Sequence, residues 1–346
     1  MKSFRQQFER LNGPAEQLRW LGEHRLLGVA DLLVERELIP ESLAQMSTTL
    51  KRKSAPVTAE QMASESRVMT GFVEAGVQAL ALKGCLLGFG YYPEPSQRWR
   101  ADLDVLVAPE SLDAARATLR SLDFRPMWEV AGGTPMDQES WLHGHGPERR
   151  VVDLHWGLRN HPVLRGVLSF EEQWEQAIPL EGIGPGVMGQ GPIHGLINAS
   201  MHWFDDLYDQ PRPLGWLLDK DLLWRAMDGA QCHQLADLGC QRGVAGLLAE
   251  SLAMTRDVFA TPIPDDLIEQ LAKTGQTQPA TGMIRANRNP WRAYWFALRC
   301  EPGLGGKVRR LWASLFPPAA HMRQRYPEGS RLGLPGLYAK RILRRM

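Results

Sequence analysis

One run of six residues, Asp102-Leu103-Asp104-Val105-Leu106-Val107, constrains this chain more than any other stretch. Side chains alternate across a strand, so Asp102 and Asp104 project from one face while Leu103, Val105 and Val107 turn toward a core. The two carboxylates are attached roughly 7 Å apart, twice the strand rise, a span that suits one or two divalent cations. Upstream, Val77-Gln78-Ala79-Leu80-Ala81-Leu82 is a short apolar run that ends at Lys83-Gly84 and suits a buried strand. A helix is expected over 84–91, stopped by Pro93 and Pro95, and a second over 109–122 with Pro109 in its first turn. Residues 125–130 and 149–156 would complete a mixed sheet, separated by a Gly-rich loop carrying Trp141, His143 and His145.

A third acid recurs in strand-like company at Val151-Val152-Asp153-Leu154-His155-Trp156. On a strand, Asp153 and His155 share a face, and that face can meet the one bearing Asp102 and Asp104. Three close carboxylates repel one another unless a divalent cation sits among them. Oxygen ligands without cysteine favour Mg²⁺, with Mn²⁺ as the second choice, over Zn²⁺. Lys83, Arg98 and Arg100 are the cations available for phosphate oxygens, and His155 could orient Asp153 or touch phosphate.

The rest of the chain is expected to be helical. Apolar residues from Leu18 to Leu33 recur near helical spacing, Pro40 breaks that pattern, and a second helix opens after Pro56 with Thr58 as its cap and Gly76 as its stop. Residues 182–195 hold six glycines and two prolines and mark a boundary. Beyond them 194–203, 214–226, 243–254 and 265–273 look helical. His202, Asp205, Asp206 and Asp219 are expected as paired core carboxylates and caps, or as the acceptor wall of a cleft. The expected organisation is a helical N-terminal region over 1–76, a catalytic domain over 77–181, a helical C-terminal domain over 182–306, and a basic tail over 307–346 packed on the body.

Charge is balanced, 40 Lys and Arg against 39 Asp and Glu, and so argues neither for nor against a polyanionic partner. Its distribution is uneven: ten bases face one acid, Glu328, from Lys307 onward. A solvated terminus, or a strap closing over a triphosphate, ranks above a patch on an anionic membrane or nucleic acid for that tail, because aromatic residues and prolines interrupt it. Four scattered cysteines fit no CxxC motif and cannot staple 346 residues, and no stretch approaches the roughly 20 apolar residues of a membrane span. A cytoplasmic protein without a membrane span is expected.

The series Leu82-Lys83-Gly84, Tyr91-Tyr92-Pro93, Arg98 with Asp102-Leu103-Asp104, and Val152-Asp153-Leu154-His155-Trp156 resembles the uncharacterised nucleotidyltransferases of the DNA polymerase β-like superfamily. The likeness extends through His202-Trp203 and Trp216-Leu217-Leu218-Asp219 to Phe316-Pro317 and Tyr338-Ala339-Lys340-Arg341. It implies an α+β fold, a small mixed sheet with helices on one side flanked by helical N- and C-terminal regions. It also implies Mg²⁺ on Asp102 and Asp104 with Asp153 as the third carboxylate, and transfer of a nucleoside monophosphate from a nucleoside triphosphate to an acceptor hydroxyl. Lys83 and Gly84 fall where the superfamily's Gly-Ser turn holds the triphosphate, with Arg98, Arg100 and His155 nearby; here Cys85 follows Gly84 where serine is usual. The acceptor, a small molecule, a protein side chain or an RNA end, stays open. The missing serine keeps a second reading in view, a non-catalytic nucleotide-binding or scaffolding protein of the same fold.

Overall fold

The structure, a computed structural model, describes residues 2–127, 137–205, 212–326 and 333–343. Seven strands form one mixed sheet: β1 (Ala79–Ala81), β2 (Leu103–Val107), β3 (Arg125–Pro126), β4 (Gln138–His143), β5 (Arg150–His155), β6 (Ile178–Pro179) and β7 (Met188–Gly189), in the order β3-β4-β5-β2-β1-β7-β6. The two apolar runs pair as neighbours, β1 antiparallel to β2, and β2 lies parallel to β5. The fold is α+β.

Alternation decides what each face of the sheet meets. Leu103, Val105 and Val107 of β2 join Val152 and Leu154 of β5 in a core shared with Val68, Met69 and Phe72 of helix Glu41–Glu74 and Ala115 and Leu119 of helix Leu112–Ser121. Leu80 and Leu106 face the other way, into a larger core with Leu196, Ile197 and Met201 of helix Pro192–Asp205 and Leu217 and Leu218 of helix Gly215–Arg225. Helices therefore cover both faces, not the single face that the resemblance implies. Strands buried on both sides need near-continuous apolar sequence, which β1 and β2 have.

Several local expectations are corrected. The amphipathic stretch near the N-terminus is two helices, Pro14–Glu23 and Ala30–Glu35, with the chain turning at Arg25 (φ 58°). Helix Glu41–Glu74 runs straight through Pro56 instead of starting after it. The proline forfeits one backbone hydrogen bond there, but residues 52–57 are exposed and water can serve the freed carbonyl. Trp141 and His143, expected in a loop, lie on β4, whose whole length pairs with β5. β4 shows no apolar alternation because Trp141 is its one buried residue, so its signal is tertiary. Met188–Gly189, within the glycine-rich stretch expected to mark a boundary, pairs with β1 and extends the sheet. Val130, Asp206, Glu328, Arg331, Arg344 and Arg345 lie outside the described residues.

Candidate active site

Register builds the site. In the parallel β2–β5 ladder Asp104 stands opposite Asp153, so both carboxylates, and His155 two residues further on, project from one face. Asp104 and His155 are buried; His155 Nε2 lies 3.0 Å from Asp104 Oδ1, and Lys83 Nζ donates to the same oxygen at 2.5 Å. Ser140 Oγ, reaching across from β4, donates to Asp153 Oδ1 at 2.6 Å and fixes that carboxylate. Asp104, Asp153 and His155 each offer a ligand atom, and these atoms lie within 4.8 Å of one another, the compact set of this kind among the described residues. His155 thus completes a set in which Asp102 was expected.

Asp102, just ahead of β2, lines the adjoining cleft with Lys83 and Asp104. Burial, then the charges of Asp104 and Asp153, push its carboxyl up to about 6. Burial also penalises ionised Asp104, but Lys83 and then His155 outweigh it and hold that carboxyl well below the usual range. The cluster is therefore short of positive charge: one lysine serves Asp104, and Asp102 is left strained.

The expected phosphate residues have diverse surroundings. Lys83 opens helix Lys83–Gly90 with φ 45°, a left-handed conformation that costs a lysine about 1 kcal/mol. That strain aims the ammonium at Asp104 rather than along the strand. Gly84 is needed for a close approach: a Cβ there would sit 2.9 Å from Arg100 Cβ. Arg98 makes a buried two-pronged pair with Asp219, at 2.7 and 2.8 Å, and Tyr92 Oη donates to the same carboxylate. Arg100 makes another with Glu65, both contacts at 2.6 Å. Both guanidiniums, expected as free cations for phosphate, are thus committed to carboxylates and tie the segment before β2 to helices Gly215–Arg225 and Glu41–Glu74. A buried arginine without a carboxylate would be an uncompensated charge, which is why these two have acquired partners.

The cleft, about 310 Å³, lies between this segment and the helical half. Asn198 and His202 from helix Pro192–Asp205, and Asp219 with Trp216, form its far wall. His202 is kept neutral, well below its ordinary range, by burial, then by Arg159 and Lys83; its ring packs 4.7 Å from that of Trp216. A buried amide chain props the wall: Arg159 donates to Asn198 Oδ1 (2.8 Å), Asn198 to Gln190 Oε1 (3.0 Å) and Gln190 to Gln173 Oε1 (2.5 Å). At the open side the Arg25 guanidinium lies 4.8 Å from the centre of the Trp99 ring and 5.6 Å from that of Trp216. The amide chain, Ser140 and the Arg25–Trp99 stack escaped the sequence reading, since none carries a local pattern; only the position of Trp99 between Arg98 and Arg100 hinted at a role.

Such an arrangement gathers acids and one lysine at the base of a cleft large enough for a small ligand, the chemistry of a cation and phosphate site. A family model described as an uncharacterised nucleotidyltransferase matches residues 13–260. The tail motifs around Phe316-Pro317 and Tyr338–Arg341 lie beyond that stretch. No curated protein and no solved structure matches the chain.

Proposed function

Given that this chain belongs to the uncharacterised nucleotidyltransferase family, we propose that it transfers a nucleoside monophosphate from a nucleoside triphosphate to a hydroxyl of its acceptor, with Mg²⁺ or Mn²⁺ as cofactor. The observation that carries this reading is the parallel register of Asp104 with Asp153, which sets Asp153 and His155 beside Asp104, a residue that lines the cleft. The donor set fits a hard divalent ion: two carboxylates, Asp102 beside them with its carboxyl raised by their charge, and a histidine nitrogen that widens the choice toward Mn²⁺. Asp104, Asp153, His155 and Asp102 would hold it. When bound, such an ion neutralises phosphate charge and activates an attacking hydroxyl.

The protein's own residues supply the rest. Lys83 is the mobile cation of the site: its ammonium balances Asp104 in the free protein and is placed to turn to triphosphate oxygens beside Gly84. Asp153, oriented by Ser140, accepts the proton of the acceptor hydroxyl as its oxygen attacks the α-phosphorus and pyrophosphate departs. Arg98 and Arg100, through Asp219 and Glu65, act as positioning residues for the segment that carries Asp102. The wall bearing His202, Asn198 and Trp216 faces the acceptor.

One observation favours the second reading, a nucleotide-binding protein without turnover: Lys83 already satisfies Asp104, and Cys85 follows Gly84. Pyrophosphate release from each triphosphate, with Mg²⁺ or Mn²⁺ and a mixture of candidate hydroxyl acceptors, separates the two. Release abolished by Asp104→Ala supports transfer, whereas Lys83→Ala should weaken triphosphate binding roughly tenfold to a hundredfold, the worth of one charge-assisted contact. Triphosphate binding with no release by any acceptor supports the scaffold reading, and no binding of any triphosphate refutes both.

A further inference from the structure

Helices Pro290–Cys300 and Gly303–Leu315 are amphipathic in the unexpected sense. Their fully buried residues are small, Ala293 and Ala297 on the first and Ala313 on the second, with Phe296 half-buried against the core. Six large apolar side chains face out: Trp295, Trp312 and Leu304 are 58%, 64% and 79% exposed, and Trp291, Val308 and Leu311 are exposed with them. At 100° per residue Trp295 stands opposite the Ala293–Ala297 strip, and Leu304, Val308, Leu311 and Trp312 form one stripe directed away from Ala313. Scattered exposed apolar residues need no explanation, but two consecutive helices that each present several do.

The second of these helices cannot roll its stripe inward. Glu301, buried between them, accepts from Arg310 at 2.6 Å and from Arg165 at 3.2 Å, so the second helix is locked from inside by an ion pair. Around the apolar stripe the charge has one sign. Arg292, Arg299 and Arg309 are exposed, Lys307 is half-buried, and the one acid between residues 288 and 316 is the internal Glu301.

We infer that this face seats on an anionic lipid bilayer as a peripheral contact. Tryptophan rings belong at the boundary between headgroups and acyl chains, aliphatic side chains just below it, and arginine and lysine among the lipid phosphates. The face supplies all three kinds of side chain. A second copy of the chain packed face to face would bring two wholly basic rims together, which charge repulsion opposes. A nucleic acid would use the arginines and the tryptophans but would leave Leu304, Val308 and Leu311 in water. No helix among the described residues is long and apolar enough to cross a membrane, so the contact lies on the surface.

The full chain is mixed with phosphatidylcholine vesicles, with or without about one third phosphatidylglycerol, and sedimented; tryptophan emission is followed with brominated lipids in the same bilayers. Association with the anionic vesicles is expected, at least about tenfold stronger than with the neutral ones, weakening with salt and accompanied by quenching from the bromines. Trp295→Ser combined with Trp312→Ser, and separately Arg292→Gln combined with Arg299→Gln, should each lower it roughly tenfold or more with unchanged circular dichroism, since all four positions are exposed. Four outcomes would overturn the inference: no association with anionic vesicles, association by both variants as strong as that of the parent protein, binding without quenching that an oligonucleotide displaces, or a dimer that the tryptophan variant dissolves.

Discussion

Replacing Asp102 by Asn should make the metal-free protein more stable while removing its response to divalent ions. In the folded chain burial, then Asp104 and Asp153, raise the Asp102 carboxyl from 3.8 to about 6. A carboxyl raised on folding binds its proton more tightly in the native state than in the unfolded one, so stability is greatest with the group protonated. That stability falls as pH rises from about 4 through about 6, and the cost is constant above. At about 1.36 kcal/mol per unit the full cost is about 3 kcal/mol, and partial exposure reduces it to about 1–3 kcal/mol. Asparagine keeps the shape and never ionises. With chelator present at about pH 8, Asp102→Asn should therefore melt a few degrees higher than the parent protein, and the gain should vanish near pH 4. Divalent ion at ten times its dissociation constant should raise the parent's stability by about 1.4 kcal/mol and the variant's far less. Scanning calorimetry with and without Mg²⁺ across this pH range reads both effects. A variant no more stable than the parent at pH 8, or a gain that persists unchanged to pH 4, would refute the account of crowded carboxylates.

Two further substitutions probe the frame around the site. Arg98→Ala leaves the buried Asp219 carboxylate with Tyr92 Oη to serve it, and should cost about 3–5 kcal/mol in urea unfolding, against less than about 1 kcal/mol for the half-buried Arg256, whose partner Asp265 is exposed. Equal losses at the two positions would contradict the buried-pair argument. Gly275→Ala places a Cβ 2.2 Å from the Gly246 backbone, where helices Ala245–Phe259 and Asp265–Gly275 come into contact, and should destabilise the helical half by more than about 3 kcal/mol; a melting temperature unchanged from the parent's would show that the two backbones separate freely.

Different parts of the chain were legible to different degrees. The strand pair β1 and β2, the helix between them and the acid-bearing strand β5 were readable because each combines an apolar run with a sharp stop, and alternation assigns each side chain its face. The amphipathic helix Asp265–Gly275 was readable for the same local reason. Strand β4 was not, since it is held by neighbours on both sides and buries a single tryptophan. Pro56 was a misleading start signal, because a proline break is decisive only where the lost hydrogen bond cannot be replaced by water.

From order alone came the acids at 102, 104 and 153, their strands and the lysine before Gly84, since period-two alternation and chain breakers act over a few residues. Tertiary structure decided which of these groups meet. The parallel register that faces Asp104 with Asp153, the bend that brings Lys83 onto Asp104, and the choice of Asp219 and Glu65 as partners for two arginines all join residues 21 to 121 positions apart. Coulomb forces and desolvation depend on distance in space rather than along the chain, so the same arginine can be a phosphate ligand or a buried strut until packing brings its partner within reach.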